Sequence, residues 1–240
     1  MADGTKTGLV VSAHSADFVW RAGGAAALFS KRGWHVRVVC LSYGERGESA
    51  KMWRQDGMSL EKVKQSREDE ARRAADILGC EIVFYDIGDY PMRISDETIY
   101  RLADEFRELR PEWVLTHSLE DPYNFDHPLT AHATQEARII AQAHGHKYPE
   151  KPIGCPGIFL FEPHQTEQCK WSPDLILDIT EVWEKKAAAF ECMAAQEYLW
   201  EYYTRVALQR GVQGKRNSSR DMKYGEAYMR ILPVVAEEFI

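Results

Sequence analysis

Two short stretches hold the residues whose types and spacing could do chemistry. In the first, Leu9 to Phe18 (LVVSAHSADF), His14 and Asp17 follow a run of apolar and small residues. A neutral imidazole and a carboxylate are donors suited to a divalent ion such as zinc. In the second, Asp121 to His127 (DPYNFDH), His127 offers a third donor, with Asp126 beside it. Three protein ligands and an open fourth position form the pattern of a catalytic rather than a structural zinc site. Each residue also has a plainer reading. Asp17 could be a helix N-cap, and His14 an ordinary strand-end histidine. Asp126 either caps a helix or orients a ligand from behind. His117 is equally open between a supporting partner and a structural polar group. His35 and His132 read as structural or exposed, and His144 and His146 as loop residues without a partner.

The elements around these stretches explain why they could meet. Leu9-Val10-Val11 reads as a buried strand and Val19 to Ser30 as the helix after it, placing His14 and Asp17 at the turn between them. Further strands are expected at His35–Leu41, Glu81–Tyr85, Trp113–Thr116, Gly157–Phe161 and Leu175–Ile179. Helices are expected at Leu60–Leu78, Thr98–Leu109 and Leu129–Ala143, with one long or two consecutive helices over Glu181–Gln209. The tail from Gly211 is basic and then amphipathic. Such alternation predicts an α/β fold with a mostly parallel sheet and helices on both faces. Both chemical stretches leave strands at the carboxyl edge of the sheet, where ligands of open α/β folds bind. The glycines of AGGAAAL, Gly23 and Gly24, lack dinucleotide-binding spacing and suit close helix packing instead.

Composition narrows the partners. A chain of 240 residues with 45% hydrophobic and 28% charged residues can bury a sizeable core, and with no repeat or linker it reads as a single domain over 1–240. The net charge of −7 argues against nucleic acid or an anionic membrane as partner. No apolar run is long enough to span a bilayer, and no signal-peptide pattern opens the chain. Five cysteines without CxxC spacing suit reduced thiols, so a cytoplasmic location is expected.

The pairing of a strand-end H-x-x-D with a later D-H resembles the zinc-dependent LmbE/PIG-L deacetylases, whose motifs run A-H-P-D-D-E and H-P-D-H. The resemblance covers nearly the whole chain and implies a single α/β domain with a Rossmann-like sheet. It puts His14 and Asp17 in the first two zinc-ligand places and His127 in the third, for Zn2+ or another divalent cation. The family's catalytic aspartate falls at Ala16, its proline at Ser15, its final glutamate at Phe18, and the leading histidine of the second motif at Asn124. Alanine cannot accept a proton, so the metal cradle is kept while the amide-hydrolysing base is missing. Six strings in order, AHSADFVWRAGG, VCLSYGERGES, DIGDYPMR, HSLEDPYNFDHP, FEPHQ and QEYLWEYYTRVALQRG, are similar to the members of this superfamily that hydrate 4-oxalomesaconate in gallate and protocatechuate breakdown. The resemblance implies water addition to a carbon–carbon double bond. The alternative is a zinc-dependent N-deacetylase of an N-acetyl sugar.

Hydration of an unsaturated tricarboxylate needs a base for water, an acid for carbon, and positive charge where an enolate-like anion develops. Glu48, in the loop after the second strand, is the expected base, against a plain reading as a solvated carboxylate and with Glu45 as rival. His164 in FEPHQ is the expected general acid or polarising group, against a reading as an exposed loop histidine. Arg46, Arg93 and Asn124 are expected to bind substrate, with Arg21 and Arg205 as further candidates for its carboxylates. The Tyr198-Trp200-Tyr202-Tyr203 cluster suits core or subunit contact, in line with an expected homo-oligomer.

Overall fold

A computed structural model describes residues 4–146 and 151–237. The organising strand is β1 (Thr7–Ser12), buried along its whole length. Its Leu9, Val10 and Val11 suit a strand covered on both faces. On one side lie β2 (His35–Cys40) and then β3 (Glu81–Phe84), and on the other β4 (Trp113–Thr116) and β5 (Gly157–Phe161), all pairing in parallel. The sheet ends with β7 (Gly225–Arg230) and β6 (Leu175–Asp178), where β7 runs antiparallel to both neighbours. The order is therefore β3-β2-β1-β4-β5-β7-β6. The chain winds outward one way from β1 to β3 and returns to the other side at β4, so a switch point lies between β1 and β4.

Helices cover both faces. One core lies beneath α1 (Asp17–Lys31), α3 (Leu60–Leu78), α6 (Trp183–Cys192) and α7 (Trp200–Asn217), and includes Phe18, Val38, Leu78, Phe190 and Tyr228. The other lies beneath α4 (Asp96–Leu109) and α5 (Asp126–Gln142), and includes Val11, Leu102, Phe106 and Leu160. Ser59 and Ser95 cap α3 and α4 by accepting from Lys62 and Thr98 N–H, and Gly79 closes α3 in the left-handed conformation.

Three segments differ from the sequence reading. α5 begins at Asp126, not Leu129, because Asn124 Oδ1 accepts the Asp126 N–H at 3.1 Å and starts the helix earlier. This puts Asp126 and His127 in its first turn. The stretch after β6 breaks into a 3-10 turn (Thr180–Val182), α6, a second 3-10 segment (Ala194–Leu199) and α7, which runs on to Asn217. The tail then contributes β7, which amphipathic periodicity alone did not reveal.

β7 is locked to α1 by an ionic cluster. Glu226 is buried and accepts from Gly24 N at 2.6 Å, Ala25 N at 2.7 Å, Tyr228 Oη at 2.7 Å and Lys186 Nζ. A Cβ on Gly24 would lie 2.6 Å from Ile179 Cγ2 and 2.8 Å from the Glu226 carboxyl, so only glycine allows this approach. Close packing is what Gly24 serves, whereas a Cβ on Gly23 would make only an ordinary contact, 3.5 Å from Lys186 Cγ.

Candidate active site

The carboxyl ends of β1 and β4 meet through His117, whose Nε2 accepts the Ala13 N–H at 2.9 Å. An accepting Nε2 is unprotonated. Burial, and then the charge of His127, holds the His117 pKa well below the usual imidazole range. The ring stacks on His127 with centroids 4.1 Å apart. His117 thus staples the switch point and backs the residue beside it.

Within that crevice four side chains converge. Donor atoms of His14, Asp17, Glu48 and His127 all lie within 4.8 Å of one another. Asp17, in the first turn of α1, reaches back so that Oδ2 accepts His14 N–H at 3.0 Å and faces His14 Nδ1 at 3.1 Å. Glu48 Oε1 approaches the same Nδ1 at 3.2 Å. His127 Nε2 faces Asp17 Oδ1 at 3.6 Å and is buried with no hydrogen-bond partner. A buried, unpartnered imidazole nitrogen aimed at two carboxylates and a second imidazole is a donor set that fits a divalent cation.

Carboxylates behind the imidazoles complete the arrangement. Asp126 Oδ2 meets His14 Nε2 at 3.1 Å, and Asp121 Oδ2 meets His127 Nδ1 at 2.8 Å. Each fixes a ring and its tautomer, as is common for metal-binding histidines. Asp126 also accepts from Tyr90 N and Met92 N, tying the segment before α4 to the site. Burial would raise the Asp17 pKa, but His127 and the hydrogen bond with His14 outweigh it and hold the group well below its ordinary value. For Glu48 burial again acts upward, His14 outweighs it, and the net shift is downward. Both are ionised at neutral pH. Burial pushes the His14 pKa down, yet Glu48, Asp126 and Asp17 carry it well above the usual value, the mark of a pocket that favours positive charge.

The loop between β2 and α2 (Ala50–Trp53) delivers Glu48. Asp89 accepts from Arg46 N at 2.9 Å and Gly47 N at 2.7 Å, pinning the loop. A Cβ at Gly47 would strike the Tyr90 ring at 2.2 Å. Glu45, the rival, is fully buried and turned to Tyr43 N and Arg46 Nη1.

A cavity of about 310 Å³ opens beside the cluster, lined by Arg21, Glu48, Asp121, Asn124, His127 and His164, among others. Of the four converging donors, only Glu48 and His127 face it. His164 Nε2 lies 2.7 Å from Tyr203 Oη. Burial, then Arg21 and His127, lower its pKa, against a smaller upward pull from Asp17 and Glu48.

The structure therefore gathers His14, Asp17, His127, Glu48, Asn124, His164, Asp126 and His117 in one region. It does not bring Arg46 or Arg93 into the cavity wall. Arg46 is exposed and pairs with Glu45 and Asp89, while exposed Arg93 donates to the Met92 carbonyl. Arg205 pairs with Glu201 on the surface of α7. Sequence reasoning gave no role to Asp121, although a carboxylate a short turn before His127 was a readable signal. It also counted three donors where Glu48 makes a fourth.

Residues 9–138 match the family described as "PIG-L: GlcNAc-PI de-N-acetylase". A protein of Pseudomonas putida (strain KT2440) named "4-oxalmesaconate hydratase" is 61% identical over 236 residues, covering 97% of this chain and 92% of that protein. The crystal structure of GalB from Pseudomonas putida KT2440, titled the 4-carboxy-2-hydroxymuconate hydratase, superposes with a TM-score of 0.96 at 60% identity, covering 98% of this chain and all of that one. The N,N'-diacetylchitobiose deacetylase of Pyrococcus horikoshii has the same fold, with a TM-score of 0.78 at 23% identity over 95% of this chain and 84% of its own.

Proposed function

The chain belongs to the PIG-L family, and from that premise we propose that it is a hydratase adding water to 4-oxalomesaconate, giving 4-carboxy-4-hydroxy-2-oxoadipate. The observation that carries this reading is 61% identity over 97% of the chain to a protein named for that reaction. The substrate named for the GalB structure is the enol tautomer of the same tricarboxylate, so the two names describe interconverting tautomers of one acid. The main alternative within the family, N-deacetylation of an acetylated sugar, lacks its base, because Ala16 stands where the deacetylase motif has an aspartate.

Water's hydroxyl goes to the fully substituted alkene carbon, which bears a carboxyl and the oxo-acid arm, and a proton goes to the neighbouring CH carbon, which becomes CH2. His14, Asp17 and His127, with Glu48 in reach, would hold a divalent cation such as Zn2+, which would supply positive charge for the developing anion and make water more acidic. Glu48 is the converging carboxylate that faces the cavity, and its lowered pKa keeps it ready to take a proton from water. Asp126 and Asp121 hold the two imidazoles in place. His164, on the cavity wall, delivers the proton to carbon. An entering polyanion raises its pKa, so a ring that is neutral in the free protein takes up its proton as substrate binds. The five free thiols suit a reducing, cytoplasmic setting for such an enzyme.

An ultraviolet assay tests the reading. Metal-loaded protein is expected to consume 4-oxalomesaconate, metal-stripped protein to be restored by added divalent ion, and neither to release acetate from N-acetylglucosaminides. Glu48→Gln is expected to lower kcat by about 10²- to 10⁴-fold, the range for losing a general base. Acetate release without loss of the unsaturated acid overturns the assignment.

A further inference from the structure

Arg21 is a buried cation that the steps above leave without a task. It lies one turn after Asp17 on α1, is 7% exposed, and has no hydrogen-bond partner for Nε or Nη1. The Asp17 carboxylate, its ion-pair neighbour, is 3.7 Å from Nε, beyond hydrogen-bonding distance. Other buried arginines are treated differently. Arg67 donates to Glu70 and Gln196, and Arg210 to Glu162. Burying guanidinium N–H groups without acceptors costs stability, so a fold that keeps them has another use for them.

Their position indicates the use. Arg21 lines the same cavity as Glu48, His127 and His164, and it is the one Lys or Arg among the described residues of that wall. Glu48 and Asp121 on the wall repel a polyanion, and of the four arginines expected to receive substrate carboxylates the other three, Arg46, Arg93 and Arg205, lie elsewhere. We infer that Arg21 receives one carboxylate of the anionic substrate through its unpartnered N–H groups, and thereby selects a polycarboxylate over a neutral acetamido sugar. This rests on the hydratase reading for the identity of the substrate, but carboxylate binding itself can be measured separately. Asp17 and Arg21 lie on one face of α1, so the helix that carries a metal-cluster donor also fixes the distance from that cluster to the bound carboxylate.

The experiment compares metal-loaded wild type, Arg21→Met and Arg21→Lys. Calorimetry follows binding of the saturated analogue tricarballylate, steady-state assays give KM and kcat for 4-oxalomesaconate, and metal content and Tm are recorded. Arg21→Met is expected to bind tricarballylate about 10- to 100-fold more weakly and to raise KM in proportion, the scale of a lost charge-assisted hydrogen bond. Its metal content stays unchanged and its Tm does not fall. Arg21→Lys is expected to fall between the two, and it decides the matter if Arg21→Met fails to fold. Unchanged tricarballylate affinity in the variants overturns the inference, as does failure of wild type to bind the analogue, or loss of metal in Arg21→Met, which would make Arg21 a support for Asp17. If wild type binds tricarballylate through Arg21 yet does not hydrate 4-oxalomesaconate, the hydratase reading falls and the carboxylate receiver stands.

Discussion

His117 shows how one protonation state can hold two parts of a site together. Its Nε2 accepts a backbone N–H, so a proton on that atom would abolish the bond between the ends of β1 and β4. Folding therefore holds the ring neutral, with its pKa well below the unfolded value near 6.5. A depressed folded pKa contributes stability that is present above the unfolded value and lost as pH falls below it. The slope is at most about 1.4 kcal/mol per pH unit for one proton. In metal-free protein the urea midpoint is expected to drop between pH 7 and pH 5, and to drop less in His117→Asn. Equal slopes in the two proteins would show that His117 is not the group responsible. At this scale the sequence was most informative about types: His14, Asp17 and His127 were readable because strand-end histidines and carboxylates are few. Arg21 was readable only as one of several candidate arginines, since nothing in one sequence tells an unpartnered buried guanidinium from a surface one. Arg46 illustrates the reverse: an arginine near Glu48 in sequence can face away from it.

At the level of elements, the buried cluster on β7 explains what periodicity could not show. A strand paired at its neighbours' inner face is expected to alternate apolar inside and polar outside. In GEAYMR the position facing α1 is Glu226, an ionised residue with Lys186, Tyr228 and two helix N–H groups as partners. The hydrophobic pattern is thus broken at the residue that fastens the strand. β4 and β5 are near-continuous apolar runs of a covered sheet and were legible with accurate ends, while β1 extends beyond its readable Leu9-Val10-Val11 to Thr7–Ser12. Removing one partner of a buried pair leaves the other charge uncompensated, so Glu226→Ala is expected to cost about 3–5 kcal/mol in urea unfolding. Adding Lys186→Met to Glu226→Ala is expected to recover part of that loss, because the stranded ammonium is then gone. A double variant no more stable than Glu226→Ala would mean that the bonds to Gly24 and Ala25, rather than the ion pair, carry the energy. Since α1 also bears Asp17 and Arg21, this fastening to β7 positions one side of the cavity.

Across the whole molecule, the site is assembled from segments that only the winding of the sheet brings together: the turn after β1, the loop after β2 and the start of α5. Alternating strand and helix signals made a mostly parallel α/β sheet readable, and with it the edge where ligands gather. The antiparallel return of β7 between β5 and β6 was not readable, because strand order depends on contacts far apart in the chain. A cation held by His14, Asp17 and His127, with the Glu48 carboxylate facing it, would draw all three segments together across the switch point, and would offset the repulsion between the Asp17 and Glu48 carboxylates, which are both ionised. Binding to the folded state alone stabilises it by RT ln(1 + [M]/Kd), about 2.7 kcal/mol at a hundredfold excess over Kd. For a chain of this size that corresponds to a rise in Tm of roughly 5–10 °C. Adding Zn2+ to metal-stripped protein is expected to produce that shift, and His127→Ala to suppress most of it while leaving the fold cooperative. A metal-independent melting curve for the wild type would mean that the four donors meet for some purpose other than holding an ion.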